Sequence, residues 1–208
     1  QDLYEWGDHP YQNETVLDWD KPFSIIFSSN LVVETLEKLP GQANTDAYKN
    51  AMGQALYYRA NAFFDLSQLF CKPYISSSAK GDLGIPLKLN SDPRQKTPRA
   101  TVQQTYDQII SDLVKAETLL PTTSTFKTRP CKAAANALLA RVRLSMGQFD
   151  KALEYADKSL LLHDTLIDYN LVPNTGQPFR DFKGEVIWGG VMIASNVFNQ
   201  SSYCPVDS

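Results

Sequence analysis

Cysteine and histidine are scarce in this chain of 208 residues: Cys71, Cys131 and Cys204 stand far apart, with no C-x-x-C pair and only His9 and His163 beside them. A zinc site needs about four converging ligands, so no metal site is expected. The odd cysteine count leaves at least one thiol outside any disulfide within the chain, and the bland role of small, buried residues suits all three. Excess positive charge is also missing. Twenty Lys and Arg face 23 Asp and Glu, giving a formal net charge of -3 and a pI near 5.4. That balance excludes a nucleic-acid binder built on a basic surface. There is no long apolar run: the longest uncharged stretch, Val186 to Val206, is broken by Ser195, Asn196, Asn199, Gln200, Ser201 and Ser202, whereas crossing a bilayer takes roughly 20 mostly apolar residues. The first residues, Gln1 to Trp6, carry neither the basic nor the apolar region of a signal peptide.

Catalytic signatures are equally lacking. No G-x-S-x-G, H-E-x-x-H, P-loop or G-x-G-x-x-G occurs, so no cofactor is expected. Glu5 with Asp8, or Asp18 with Asp20, could be drawn as the carboxylate pair of a glycoside hydrolase. Such a pair must flank a glycosidic bond at a fixed separation, which nothing in the sequence sets. The expectation is therefore a protein that binds and does not catalyse.

What is present reads as a mostly α-helical globular chain. Hydrophobic residues make up 43% and charged residues 21%, close to an ordinary folded domain. A first helix is expected from an N-cap at Asp20, with Pro22 in its first turn, to Leu39, where Pro40-Gly41 stops it. Trp19, just before that start, suits a core-facing hydrophobic staple, and Asn30 near the apolar stripe needs hydrogen-bond partners. A second helix is expected from Asn44 or Thr45 to about Phe70. Arg59 lies among its apolar positions and calls for a carboxylate or carbonyl partner, more in keeping with a buried structural pair than with catalysis.

Residues 71–100 are rich in Pro, Ser, Gly, Lys and Asp and read as a long irregular connection, with Ile85 to Leu89 as a short extended piece. Thr101 and Gln104 form a capping box that opens a third helix ending before Pro121. Lys132 to Met146, Gly147 and Asp150 to about Leu162 then form a tight helical hairpin. The order of Ala137, Ala140, Gly147, Phe149, Ala152, Leu153 and Tyr155 matches the tetratricopeptide pattern, with Asn136 where a Trp is usual. Ala55-Leu56-x-x-Arg59 is echoed by Ala137-Leu138-x-x-Arg141, an offset suited to two long irregular repeats. The expected architecture is thus mostly α, of tetratricopeptide-like hairpins, with little β and irregular loops at about 1–19, 71–100 and 163–185.

Several ordered stretches carry a family resemblance. They are Trp19 to Leu36 with Ser29-Asn30-Leu31-Val32; Gln54 to Ala60 followed by Phe63 to Leu66 and Leu69-Phe70; Pro98 to Val102 leading to Tyr106 and Ile109 to Leu113; Arg129 to Ala134 and Leu138 to Tyr155; and Asn170-Leu171 with Glu185 to Trp188. In this order they resemble the SusD/RagB family of outer-membrane nutrient-binding lipoproteins. The resemblance implies one SusD-like helical domain over 1–208, an internal portion of a longer family pattern. It also implies an extracellular position on the outer membrane, capture of a glycan without bond cleavage, and docking onto a SusC-like TonB-dependent transporter. The family's lipidated N-terminal cysteine is not among these residues, nor is its large second half.

Sugar recognition uses flat aromatic faces together with planar hydrogen-bonding side chains. Trp6, Asp8, Tyr11 and Asn13 supply that mixture in one short stretch, and Tyr74 and Arg180 are further candidates. The two N-terminal aromatics equally suit packing the loop onto the helices. An intracellular tetratricopeptide adaptor gripping a peptide is the alternative function, and the thirty-residue irregular connection argues against it.

Overall fold

A computed structural model of the protein describes residues 16–172 and 184–189. Five helices dominate: α1 (Leu17–Glu37), α2 (Asp46–Phe70), α3 (Val102–Leu119), α4 (Lys132–Ser145) and α5 (Phe149–Leu160). Two short antiparallel strands, β1 (Leu83–Pro86) and β2 (Arg99–Thr101), lie between α2 and α3. Each helix packs chiefly on its neighbours in sequence, which is the quasi-one-dimensional stacking of helical repeats. The mostly α, tetratricopeptide-like reading therefore holds.

Local chemistry sets the starts of α2 and α3 and the turn after α4. The Thr45 hydroxyl accepts the Tyr48 N–H at 3.3 Å and opens α2. At α3 the capping box closes in both directions: Thr101 Oγ1 accepts the Gln104 N–H at 3.1 Å, and Gln104 Oε1 accepts the Thr101 N–H at 2.9 Å. Gly147, at φ +70°, turns the chain between α4 and α5, in the left-handed region where a side chain is strained.

The first helix departs from expectation. It begins at Leu17, about a turn before the proposed Asp20 cap, because the Trp19 and Asp20 N–H groups already bond Val16 O at 2.9 Å. Val16 offers no side-chain cap, and Pro22 sits inside the helix. Trp19 is accordingly a helical residue and not a staple before the helix, although it does reach the core. Its ring lies 4.8 Å from Phe23, tilted by 48°, and edge-on 4.9 Å from Phe70, contacts of about 0.5–1.5 kcal/mol each that help hold the turn preceding the proline. The last residues of the irregular loop expected at about 1–19 thus belong to α1, from Leu17 on. The extended piece in the 71–100 connection also falls earlier than Ile85 to Leu89, at Leu83–Pro86, where Arg99 ties the strand pair together. Its guanidinium donates to Gly84 O at 2.6 Å and Phe70 O at 3.0 Å.

The core runs between α2, α3 and α4. Phe63, Phe64 and Leu66 of α2 meet Tyr106, Ile109 and Leu113 of α3, and Leu139 and Val142 of α4 continue the layer. Ser159 Oγ of α5 donates to Ala133 O of α4 at 3.0 Å, pinning the hairpin. The outer face of α5 is bare: Phe149, Leu153 and Leu160, four and seven residues apart on one helical face, are all more than half exposed.

Candidate functional site

Three features of the helical body can position binding groups. The first is a buried polar network between α1, α2 and α3. Arg59 Nε and Nη2 donate to the two oxygens of Asp112 at 2.8 and 2.7 Å, and Nη1 donates to Asn30 Oδ1 at 2.9 Å. This is the structural ion pair expected of Arg59, in bidentate form. Asn30 then passes the connection outward, its Nδ2 donating to Lys88 O and Asn90 O at 3.0 Å each. One turn along α1, Glu34 accepts the Ser91 N–H at 2.7 Å and the Ser91 hydroxyl at 2.5 Å. The two Ser91 hydrogen bonds hold the Glu34 carboxyl below its usual range. The long connection is therefore irregular in sequence but fastened to α1.

The second feature is a pair of open grooves. One, of about 680 Å³, runs between α1 and α2 past Ile25, Ser28, Val32, Ala55, Tyr58 and Arg129. Another, of about 520 Å³, lies beside Leu87, Thr97, Arg99, Gln104 and Asp107.

The third is a notch of about 180 Å³ between α2, α4 and residues 184–189. Tyr57, Asn61, Ala134, Leu138, Arg141 and Trp188 line it. Trp188 is fixed on three sides: its indole N–H donates to Thr128 O at 3.2 Å, and the rings of Tyr57 and Tyr58 meet it at 5.3 and 6.3 Å, tilted by 70° and 60°. Tyr58 donates its hydroxyl to the same Thr128 O at 2.7 Å. Burial pushes the Tyr57 hydroxyl far above the usual phenol range, so it keeps its proton. Burial also raises the carboxyl of neighbouring Asp65, against the opposing pull of Arg141 and of the Asn61 hydrogen bond.

Of the residues proposed from sequence for ligand contact, Trp6, Asp8, Tyr11, Asn13 and Arg180 lie outside the described residues. Tyr74 is half-buried, its hydroxyl donating to Gln103 Oε1 at 2.7 Å and its ring edge-on to Tyr106 at 5.1 Å. The notch residues were not singled out as a site by sequence reasoning. A signal for one of them existed in the repeat echo, which pairs Arg141 with Arg59. Among the described residues no group of three or more His, Cys, Asp or Glu side chains could hold a metal ion, and Cys71 and Cys131 are free thiols.

Residues 1–144 match the family model SusD-like_3, described as starch-binding associating with outer membrane. The chain is 33% identical to SusD-like protein P2 of Formosa agariphila over 159 residues, which is 75% of this chain and 29% of that protein. It is 26% identical to SusD-like protein P38 of the same organism over 73% of its length and 27% of the relative. A SusD superfamily protein of Bacteroides thetaiotaomicron, solved at 1.49 Å, superposes with a TM-score of 0.64 at 32% identity, covering 71% of this chain and 32% of its own. The chain thus spans about a third of the length of the relatives it matches. With the helix order, the capping box and the hairpin in place, the chain belongs to the SusD-like family.

Proposed function

We propose that the protein is a cell-surface nutrient-binding protein that captures a glycan at the outer membrane and passes it, uncleaved, to a SusC-like TonB-dependent transporter. The observation that carries this reading is the match of residues 1–144 to a family described as starch-binding and associated with the outer membrane. The physical division of labour agrees with it. A helical stack supplies the frame, and irregular segments supply groups for the ligand. In this reading Trp6 and Tyr11 offer aromatic faces to sugar C–H surfaces, while Asp8, Asn13 and Arg180 take hydroxyls. Tyr74 contributes from the start of the long connection by exchanging its Gln103 hydrogen bond for one to the ligand.

Calorimetry of the chain against a panel of oligo- and polysaccharides, repeated with Trp6→Ala, tests the reading. The expected result is binding of one glycan class, weakened in the variant, with the glycan recovered intact. Hydrolysis products would overturn it in favour of an enzyme, and failure of every glycan to bind would overturn sugar capture by this chain. Co-purification with a SusC-like barrel after co-expression tests the transporter step, and its absence would remove delivery from the proposal.

A further inference from the structure

The notch at Trp188 holds more hydrogen-bonding capacity than the fold uses. The Tyr57 ring lines the recess, and its hydroxyl, one donor and one acceptor, makes no hydrogen bond among the described residues. Arg141, from α4, is anchored by its guanidinium lying 5.6 Å above the Phe64 ring. None of its donors makes a hydrogen bond or ion pair among the described residues. Asn61, one turn along α2 from Tyr57, donates its Nδ2 to Asp65 Oδ2 at 2.9 Å, which fixes the amide plane and leaves Oδ1 unengaged. These three groups and the half-buried Trp188 line one recess, with Ala134, Ala137 and Leu138 as its apolar floor. Convergent groups whose hydrogen-bonding capacity the fold leaves unused mark places where a ligand or water completes the bonding.

The chemistry selects the ligand. An aromatic wall suits the C–H face of a sugar ring, and a guanidinium, an amide oxygen and a phenol provide complementary partners for adjacent hydroxyls. The Arg141 charge is matched by nearby Asp65, whose carboxyl it influences, so a neutral ligand suits the site better than an anion. The size selects further. At about 180 Å³ the recess is well below the ~300–1,000 Å³ of pockets for drug-sized molecules, and it takes one ring and not a chain. Trp188 is already locked by Thr128, Tyr57 and Tyr58, so little ordering cost falls on binding.

We infer that the notch formed by Tyr57, Asn61, Arg141 and Trp188 is a second carbohydrate subsite that holds a single neutral pyranose ring. None of its lining residues is among those proposed above for ligand contact, and the subsite rests on the reading of the protein as a glycan binder. The test is titration of the ¹⁵N-labelled full chain with methyl glycosides of glucose, galactose, mannose and xylose, following the indole N–H signals. Trp188→Phe assigns the Trp188 signal, and Arg141→Ala and Asn61→Ala are titrated in parallel. The expected result is a saturable shift of the Trp188 indole signal with at least one glycoside. Its midpoint should move about tenfold higher in Arg141→Ala, as for loss of a charge-assisted hydrogen bond, and less in Asn61→Ala. An unmoved Trp188 signal at saturation with every glycoside overturns the subsite, as does a shift that Arg141→Ala and Asn61→Ala leave intact. If larger glycans bind by calorimetry while Trp188 stays silent, the subsite alone is wrong and glycan capture stands. If nothing binds by either method, both fall.

Discussion

Arg59 and Arg141 occupy matching places in the repeated Ala-Leu-x-x-Arg pattern, one on α2 and one on α4, and the structure treats them in opposite ways. Arg59 is 7% exposed and its Nε, Nη1 and Nη2 all donate to Asp112 and Asn30. Arg141 is exposed, rests on the Phe64 ring, and makes no hydrogen bond or ion pair among the described residues. One half of the echo has spent its arginine on holding three helices and a loop in register. The other has kept its arginine available at a surface recess. A repeated motif thus constrains where a side chain is placed, while the neighbours supplied by other helices decide whether it is structural.

The contrast can be broken most directly at Asp112. Asp112→Ala leaves a buried guanidinium without its counter-ion and is expected to cost about 3–5 kcal/mol, read by urea denaturation. The joint replacement Arg59→Met with Asp112→Leu should restore most of that loss, because an apolar pair of similar volume removes the unpaired charge. Arg141→Ala should cost about 1 kcal/mol or less, the scale of an exposed cation–π contact. Equal losses at Asp112 and Arg141 would erase the distinction.

Two glycines, Gly84 in β1 and Gly147 at the turn between α4 and α5, sharpen it further. A methyl group on Gly84 would stand 2.5 Å from Thr101 O and 2.7 Å from Thr101 C, both backbone atoms. Gly84→Ala is therefore expected to cost about 1–3 kcal/mol as overpacking and to disturb the strand pair. Gly147 has open space around it and a φ of +70°, so Gly147→Ala should cost about 1–2 kcal/mol for backbone conformation alone. Thermal melts give the magnitudes. Amide exchange in β1 distinguishes the mechanisms, since only the Gly84 variant should loosen that strand.

The smallest expected effect concerns pH. The folded carboxyl of Glu34 titrates below its ordinary value of 4.5 because Ser91 donates to it twice. Its contribution is complete above that ordinary value and fades as pH falls through the lower folded one. Exchange protection of the Ser91 amide should decline across that acidic interval in the native chain, while Glu34→Gln should show a pH-independent level. A decline centred above 4.5 would contradict the sign of the shift.

Much of this architecture was legible because the decisive interactions are local. The Thr101–Gln104 box, the Thr45 cap and Gly147 act within four residues of their own positions, and so mark α3, α2 and the hairpin turn in the sequence itself. The start of α1 was misplaced because Asp20 and Pro22 imitate a helix beginning, while what stabilises the earlier turn is Trp19 against Phe70, a partner 51 positions away. The need of Arg59 and Asn30 for partners could be read from their burial-prone spacing. That the partners would be Asp112 and the carbonyls of residues 88 and 90 depended on tertiary placement. The notch was illegible for the same reason: α2, α4 and the segment at Trp188 come from distant stretches, and the repeated Ala-Leu-x-x-Arg pattern marks Arg141 without indicating which residues face it.

The Asn30 amide grips Lys88 and Asn90 only by their main-chain oxygens, atoms that every amino acid carries. Substitutions at positions 88 and 90 can therefore accumulate without releasing these two hydrogen bonds, provided the backbone path is kept. The helix remembers the shape of the connection while remaining indifferent to its spelling, and over evolutionary time this lets the outward-facing chemistry of residues 88–90 drift on a fixed trace.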